Sequence, residues 1–178
     1  MTPHDKLPPR HQRRLVQGSP DRLRLTFQWE RFAKIHGELL PLFQRHYDEI
    51  ALDRDVVPLD PDWNYYASAE LAGVLHILTA RAASNRKLAG YIFNIIGTHN
   101  HYKSTRFCNT DMFWLHPHFR KGWQPVKMFL ENLRGLETFG VDIGLIYFKL
   151  NFQNARVGKL LARLGYEPTD IVMRKRFV

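Results

Sequence analysis

The spacing of apolar positions divides the chain into extended and helical stretches. Leu23-Arg24-Leu25-Thr26-Phe27 alternates with the two-residue period of a strand. From Trp29 to about Ile50, the apolar residues Phe32, Ile35, Leu39, Leu42 and Phe43 recur three or four apart, which is the helical period. Pro41 falls inside that stripe and predicts a kink or two abutting helices. Residues 48–62 are acidic and broken by Pro58 and Pro61, so a loop is expected. Three strands follow: Val74 to Ala80, Leu88 to about Ile96, and about Phe107 to Leu115. Their short connections, with turns at Asn85-Arg86 and Lys103-Ser104, predict antiparallel hairpins. Val126, Phe129, Leu130, Leu133 and Leu136 then form a helical stripe that opens at Pro125 and closes at Gly140. Val141 to Phe148 reads as a strand. Val157, Leu160, Leu161 and Leu164 read as a helix closed by Gly165, and Ile171 to Phe177 as a last strand. A strand–helix–strand succession requires a parallel pair with a right-handed crossover. The class is therefore α/β in the broad sense (α+β), with antiparallel strands first and a parallel pair later.

Composition narrows the setting. A length of 178 residues suits one domain, here residues 21–178 behind a basic arm, 1–20, that carries Arg10, Arg13 and Arg14 among prolines and is expected to be flexible. The single cysteine, Cys108, excludes an intramolecular disulfide framework and a cysteine-cluster zinc site. No long uninterrupted apolar run and no signal-peptide core is present, so a soluble, cytoplasmic protein without a membrane partner is expected. Lys and Arg number 26 against 17 Asp and Glu, a net charge of +9 that draws anions. A nucleic acid is the weaker reading of that charge: the arm and Arg174-Lys175-Arg176 are basic, but no recognition helix or aromatic RNA motif accompanies them.

A phosphate-bearing ligand fits better. In Leu115-His116-Pro117-His118-Phe119-Arg120-Lys121-Gly122-Trp123-Gln124-Pro125-Val126 a strand ends, a basic loop with a glycine follows, and a helix opens. Helix N-termini offer unpaired N–H groups and positive potential, and Arg120, Lys121 and Lys127 add full charges. Asn154 opens the next predicted helix, which ends at Gly165-Tyr166. His99 and His101 share a strand face, and a turn at Lys103-Ser104 would set Cys108 opposite His99. Nothing supplies a certain fourth ligand, so no metal site is assigned.

The two segments together resemble the GNAT N-acetyltransferase superfamily. Its cofactor motif, Arg/Gln-x-x-Gly-x-Gly/Ala after a strand end, is met by LHPHFRKGWQP with Arg120 in the leading place. Its Asn eleven residues before Gly-Phe/Tyr is met by Asn154 and Gly165-Tyr166. Within the family the chain is most similar to acetyltransferase-like proteins of tailed bacteriophages, through DPDW (60–63), HYKST (101–105), WLHPHFRKG and RLGY. The resemblance implies a mixed sheet of about six or seven strands with helices on both faces and a parallel pair splayed where strands end near Leu115 and Phe148. It implies acetyl-coenzyme A in that opening. Leu115 and His116 would lie at the acetyl group, with Arg120, Lys121, Gly122, Trp123, Gln124, Val126 and Lys127 around the phosphates. Asn154 would lie on the pantetheine arm, and Arg156 and Lys159 near the remaining phosphate.

The acceptor would be an amine of a protein or small molecule, favoured by the acidic 48–62 loop. Asp111, placed on the face of Leu115 by strand alternation, is the candidate base, and His116 a candidate proton carrier. Trp123 and Pro125 replace the loop glycines, and Leu161 stands where the family places an acidic tyrosine. Those departures motivate an alternative: a weak or inactive member that binds a bacterial host protein.

Overall fold

Near-continuous burial along the two central strands, residues 75–82 and 88–96, reflects helical layers on opposite sides of one sheet. The computed structural model describes residues 24–52, 54–99, 101–148, 155–170 and 175. Strands β1 (Leu25–Glu30), β2 (Leu75–Ala82), β3 (Leu88–His99), β4 (Tyr102–Leu115) and β5 (Ile143–Ile146) form one sheet in the order β1-β2-β3-β4-β5. All neighbours are antiparallel except β4 and β5, which are parallel. Helices α1 (Phe32–Ile50) and α2 (Trp63–Leu71) cover one face. There Ile35, Leu39 and Phe43 pack on Ile77, Tyr91, Phe93 and Trp114. On the other face, α3 (Gln124–Thr138) and α4 (Ala155–Arg163) bring Met128, Phe129 and Leu161 against Leu78, Ile92 and Leu115. The expected fold class therefore holds, as a five-stranded mixed sheet among the described residues. The arm 1–20 and the expected strand 171–177 lie outside them, apart from Lys175.

Several boundaries differ from the sequence-based expectation, each for a physical reason. Trp29 belongs to β1, paired with Leu78, rather than to the first helix. Its indole fits over Gly135 of α3, where an added Cβ would lie 2.0 Å from a ring carbon, and meets Phe139 edge-on at 4.9 Å. Pro41 lies within one helix, α1, on its exposed side, where water can satisfy the carbonyl that loses its partner. Helix α2 stands where no helix was expected. Asp62 caps it, its side chain accepting from the Tyr65 N–H at 2.9 Å. The β3–β4 ladder closes with His99 opposite Tyr102, not with a turn at Lys103-Ser104. Stacking of His99 on Tyr102 and Phe107, each at 5.0 Å, accompanies that tighter end. Cys108 consequently faces Ile96 and not His99, so the His-His-Cys juxtaposition does not form.

Buried polar groups pin the layers in place. Arg81 bridges Glu30 at 2.7 Å and Glu38 of α1 at 2.8 Å. Burial opposes the charge on Glu30, but hydrogen bonds from Arg81, Thr79 and Gln28 prevail and hold its carboxyl down at about 2. On the opposite face, Asn94 donates to Asn132 of α3 at 2.8 Å and accepts from Thr110 of β4 at 2.9 Å. This chain of bonds ties α3 to the point where β4 changes register.

Candidate active site

The pairing of β4 with β5 runs from Phe107↔Ile143 to Thr110↔Ile146 and then stops, although β4 continues to Leu115. At that point β4 carries a bulge. Phe93 faces Met112 and Asn94 faces Thr110, which leaves Asp111 as the extra residue. The ladder between the two parallel strands thus ends before Asp111, and among the described residues no strand pairs with 111–115 on that side, which leaves a gap there. His116 donates its N–H to Ala89 of β3 at 2.7 Å. Successive residues of a strand point their N–H groups to opposite sides, so Leu115 and Phe113 turn theirs away from β3, toward the gap.

Helix α3 opens beside this gap. A short 3-10 turn, Pro117–Phe119, leads through Gly122, whose φ of +69° suits glycine, into an N-terminus that has neither an acidic residue in its first turn nor a side-chain cap. Such an end is electrostatically receptive to an anion. Lys121 and Lys127 flank it, Gln124 and Val126 belong to its first turn, and Lys127 donates its N–H to Trp123 at 2.9 Å. Pro125 in that turn has no N–H to offer. Trp123 is 72% exposed, so its indole is not packed into the loop. The cradle therefore fits a phosphate-bearing group with one donor fewer than a glycine loop supplies.

Arg120 is engaged elsewhere. Its Nε donates to the Leu115 carbonyl at 2.6 Å and its Nη2 to both oxygens of Glu49 on α1, at 2.9 and 2.6 Å. The guanidinium also lies over the Trp114 ring, 5.7 Å from its centre, and Trp114 packs in the α1-side core. Arg120 thus joins the loop to α1, with its guanidinium engaged by Leu115 and Glu49. Glu49 is not among the residues that the sequence singles out. Nothing local marks it, and only its place in a helical stripe ending near β4 hints at the pair.

The bulge also corrects the placement of Asp111. One extra residue moves it off the face of Leu115. Met112 packs with the α1–α2 layer, whereas Phe113 and Leu115 pack with the α3–α4 layer. Asp111 sits on the α1–α2 side, and its charge contributes to raising the Tyr66 hydroxyl of α2, which burial chiefly pushes up to about 12. Burial raises the carboxyl of Asp111 itself above the usual range. A cavity of about 410 Å³ adjoins on this side, between α1, residues 51–52 and 57–61, and the sheet. Apolar members of the acidic loop, Leu52, Val57, Pro58 and Leu59 among them, line it, and of the loop's described acids only Asp60 does.

His116 serves the turn. Its Nδ1 accepts the His118 N–H at 3.2 Å, which leaves the ring proton on Nε2, and desolvation with the nearby cations Arg45, His118 and Arg120 holds its pKa down. Lys159 and Arg156 lie exposed on α4, and Asn154 falls outside the described residues. Leu161 is 2% exposed, a core residue of α4. The Tyr166 hydroxyl lies 4.0 Å from where a Cβ on Gly144 of β5 would stand. Among the described residues no cluster of metal-ligating side chains forms, and no helix is long and apolar enough to cross a membrane.

No protein-family model matches the sequence, and no curated protein is significantly similar to it. Solved structures are similar in fold. A ribosomal-protein-alanine N-acetyltransferase from Brucella melitensis superposes with a TM-score of 0.62 at 16% identity, over 87% of this chain and 100% of its own. An aminoglycoside acetyltransferase from an uncultured soil metagenomic sample gives 0.68 at 10%, over 87% and 99%. A predicted acetyltransferase from Clostridium acetobutylicum, crystallised with acetyl-CoA, gives 0.62 at 10%, over 86% and 96%. At these identities the likeness is one of fold: the chain has the fold of the GNAT acetyltransferases.

Proposed function

We propose that the chain is an acetyl-coenzyme A-dependent N-acetyltransferase that acts on an amine of a protein or small molecule. Cytoplasmic action in a bacterium accords with the phage-type motifs. The observation that carries this reading is the parting of β4 and β5 at Asp111 together with the uncapped α3 N-terminus opening beside it. Acetyl-coenzyme A, when bound, supplies a thioester-activated acetyl group. Around it, the N–H groups of Phe113 and Leu115 are free of β3 to orient a carbonyl oxygen. The N-terminus of α3 with Gly122, Lys121 and Lys127 holds phosphate, with Asn154 at the pantetheine arm and Lys159 near the remaining phosphate as the resemblance implies. From the opposite face, Asp111 accepts a proton from an acceptor ammonium, directly or through water. With Leu161 buried, the leaving thiolate receives no proton from that position, a small loss because a thiol of pKa about 8.5 leaves readily.

The test is turnover. Acetyl-coenzyme A is incubated with the protein and a panel of amines, and products are read by mass spectrometry. Acetylated amine that requires the protein supports the reading. Absence of acetylated product across aryl, polycationic and peptide amines, by protein that remains folded, overturns it.

A further inference from the structure

The 410 Å³ cavity on the α1–α2 face is of the size that holds a small ligand, and its walls are aromatic and aliphatic. Phe43 and Tyr91 meet at 5.2 Å between ring centres, Tyr66 closes one side, and Met112 lies on the sheet below. Tyr91 is fully buried, and its hydroxyl pairs with His46 Nδ1 at 2.9 Å, so the pocket's deep polar groups already satisfy each other. A sugar-like ligand with many hydroxyls and ammonium groups would find few partners there, because Asp60 is the only carboxylate among the described residues of the lining. Charge enters at the edge instead. Met112 and Asp111 are the neighbouring residues of one bulge on one face, and Asp111 is close enough to Tyr66 for its charge to be felt there.

We propose that this cavity selects the acceptor, and that the acceptor is a small primary amine on an apolar, aromatic-sized body, with its ammonium at Asp111 and its ring against Tyr66, Met112 and Leu59. The proposal rests on the acetyltransferase reading for the fate of the amine, but the binding itself does not require the reaction. An apolar ring gains by leaving water for such walls, and an ammonium gains from a partly desolvated carboxylate. A polycationic sugar gains only the second and leaves its hydroxyls unpaired.

Binding is measured by titration calorimetry with the whole chain, with and without coenzyme A, using phenethylamine, its neutral counterpart 2-phenylethanol, and the aminoglycoside kanamycin. Phenethylamine should bind at least about tenfold more tightly than either of the others, a gap of about 1.4 kcal/mol. Asp111→Asn should bring phenethylamine down to the level of 2-phenylethanol. Leu59→Arg, at the loop wall, should weaken both aryl ligands alike. Equal binding of amine and alcohol, tighter kanamycin, or no aryl binding by protein that does bind acetyl-coenzyme A overturns the acceptor class and leaves the enzyme reading standing. Selective phenethylamine binding by protein that binds no acetyl-coenzyme A supports the pocket and overturns the enzyme reading.

Discussion

Arg120 and Glu49 stand 71 residues apart in sequence and share two hydrogen bonds of 2.9 and 2.6 Å, which clamp the loop before α3 to the last turn of α1. The residue that the resemblance would aim at a phosphate is thereby a strut between the loop before α3 and α1.

That arrangement separates two roles that a motif alone would merge. Arg120→Ala should lower stability on the order of 1 kcal/mol, since the pair is partly exposed and screened, and should change acetyl-coenzyme A affinity less than about threefold. Lys121→Ala with Lys127→Ala should cost about tenfold or more in affinity with little change in stability. Calorimetry and thermal melts on both variants decide it. An Arg120→Ala variant that melts normally and loses the cofactor would restore the motif's usual assignment.

Asp111 is expected to act as a base, so it must be ionised to work. Burial raises its pKa, and the rate should therefore climb with pH through a value above the ordinary carboxylate's, about 3.9, and level off once the group is charged. Asp111→Asn should lose about 10²–10⁴ in kcat and lose that limb of the profile, while acetyl-coenzyme A affinity stays as it was. A variant with an unchanged pH–rate profile would assign the proton transfer to another group.

Pro125 withholds one N–H from the cradle at the start of α3. Pro125→Ala returns that donor at a helix position where alanine is well tolerated. One recovered charge-assisted hydrogen bond, about 1.5 kcal/mol, should tighten acetyl-coenzyme A roughly tenfold. Titration of the variant beside the natural protein measures this. An unaltered affinity would mean that phosphate does not sit on the first turn.

Gly135 and Trp29 set how closely α3 approaches β1. A Cβ at 135 would overlap the indole, so Gly135→Ala should destabilise by about 1–3 kcal/mol in denaturant unfolding. Trp29→Leu introduced beside it should recover part of that loss, because the smaller side chain vacates the contact. Full additivity of the two changes would contradict the packing described.

Local signals make the cofactor side legible in the sequence. Gly122, Pro125 and the lysines around them punctuate the strand–loop–helix junction, and the stripe from Val126 to Leu136 states which face of α3 is buried. The acceptor side is not legible in the same way. The apolar residues of WNYYASAEL spread around α2 without forming a one-sided stripe, so periodicity passes over it, and only the Asp62 cap marks its start. The bulge at Asp111 has no compositional mark, yet by adding one residue it puts Asp111 and Leu115 on opposite faces where strict alternation assigns them to one. Long-range pairs such as Arg120–Glu49 and Asn94–Asn132 leave no trace in local pattern at all.

The gap between β4 and β5 and the open end of α3 are held to form one site for acetyl-coenzyme A, and every other role assigned above depends on it. Titration calorimetry of the whole chain with acetyl-coenzyme A tests this directly. Saturable one-to-one binding and a raised melting temperature are expected, with affinity that falls about tenfold or more in the Lys121→Ala, Lys127→Ala variant. No heat and no thermal shift at millimolar ligand would contradict it.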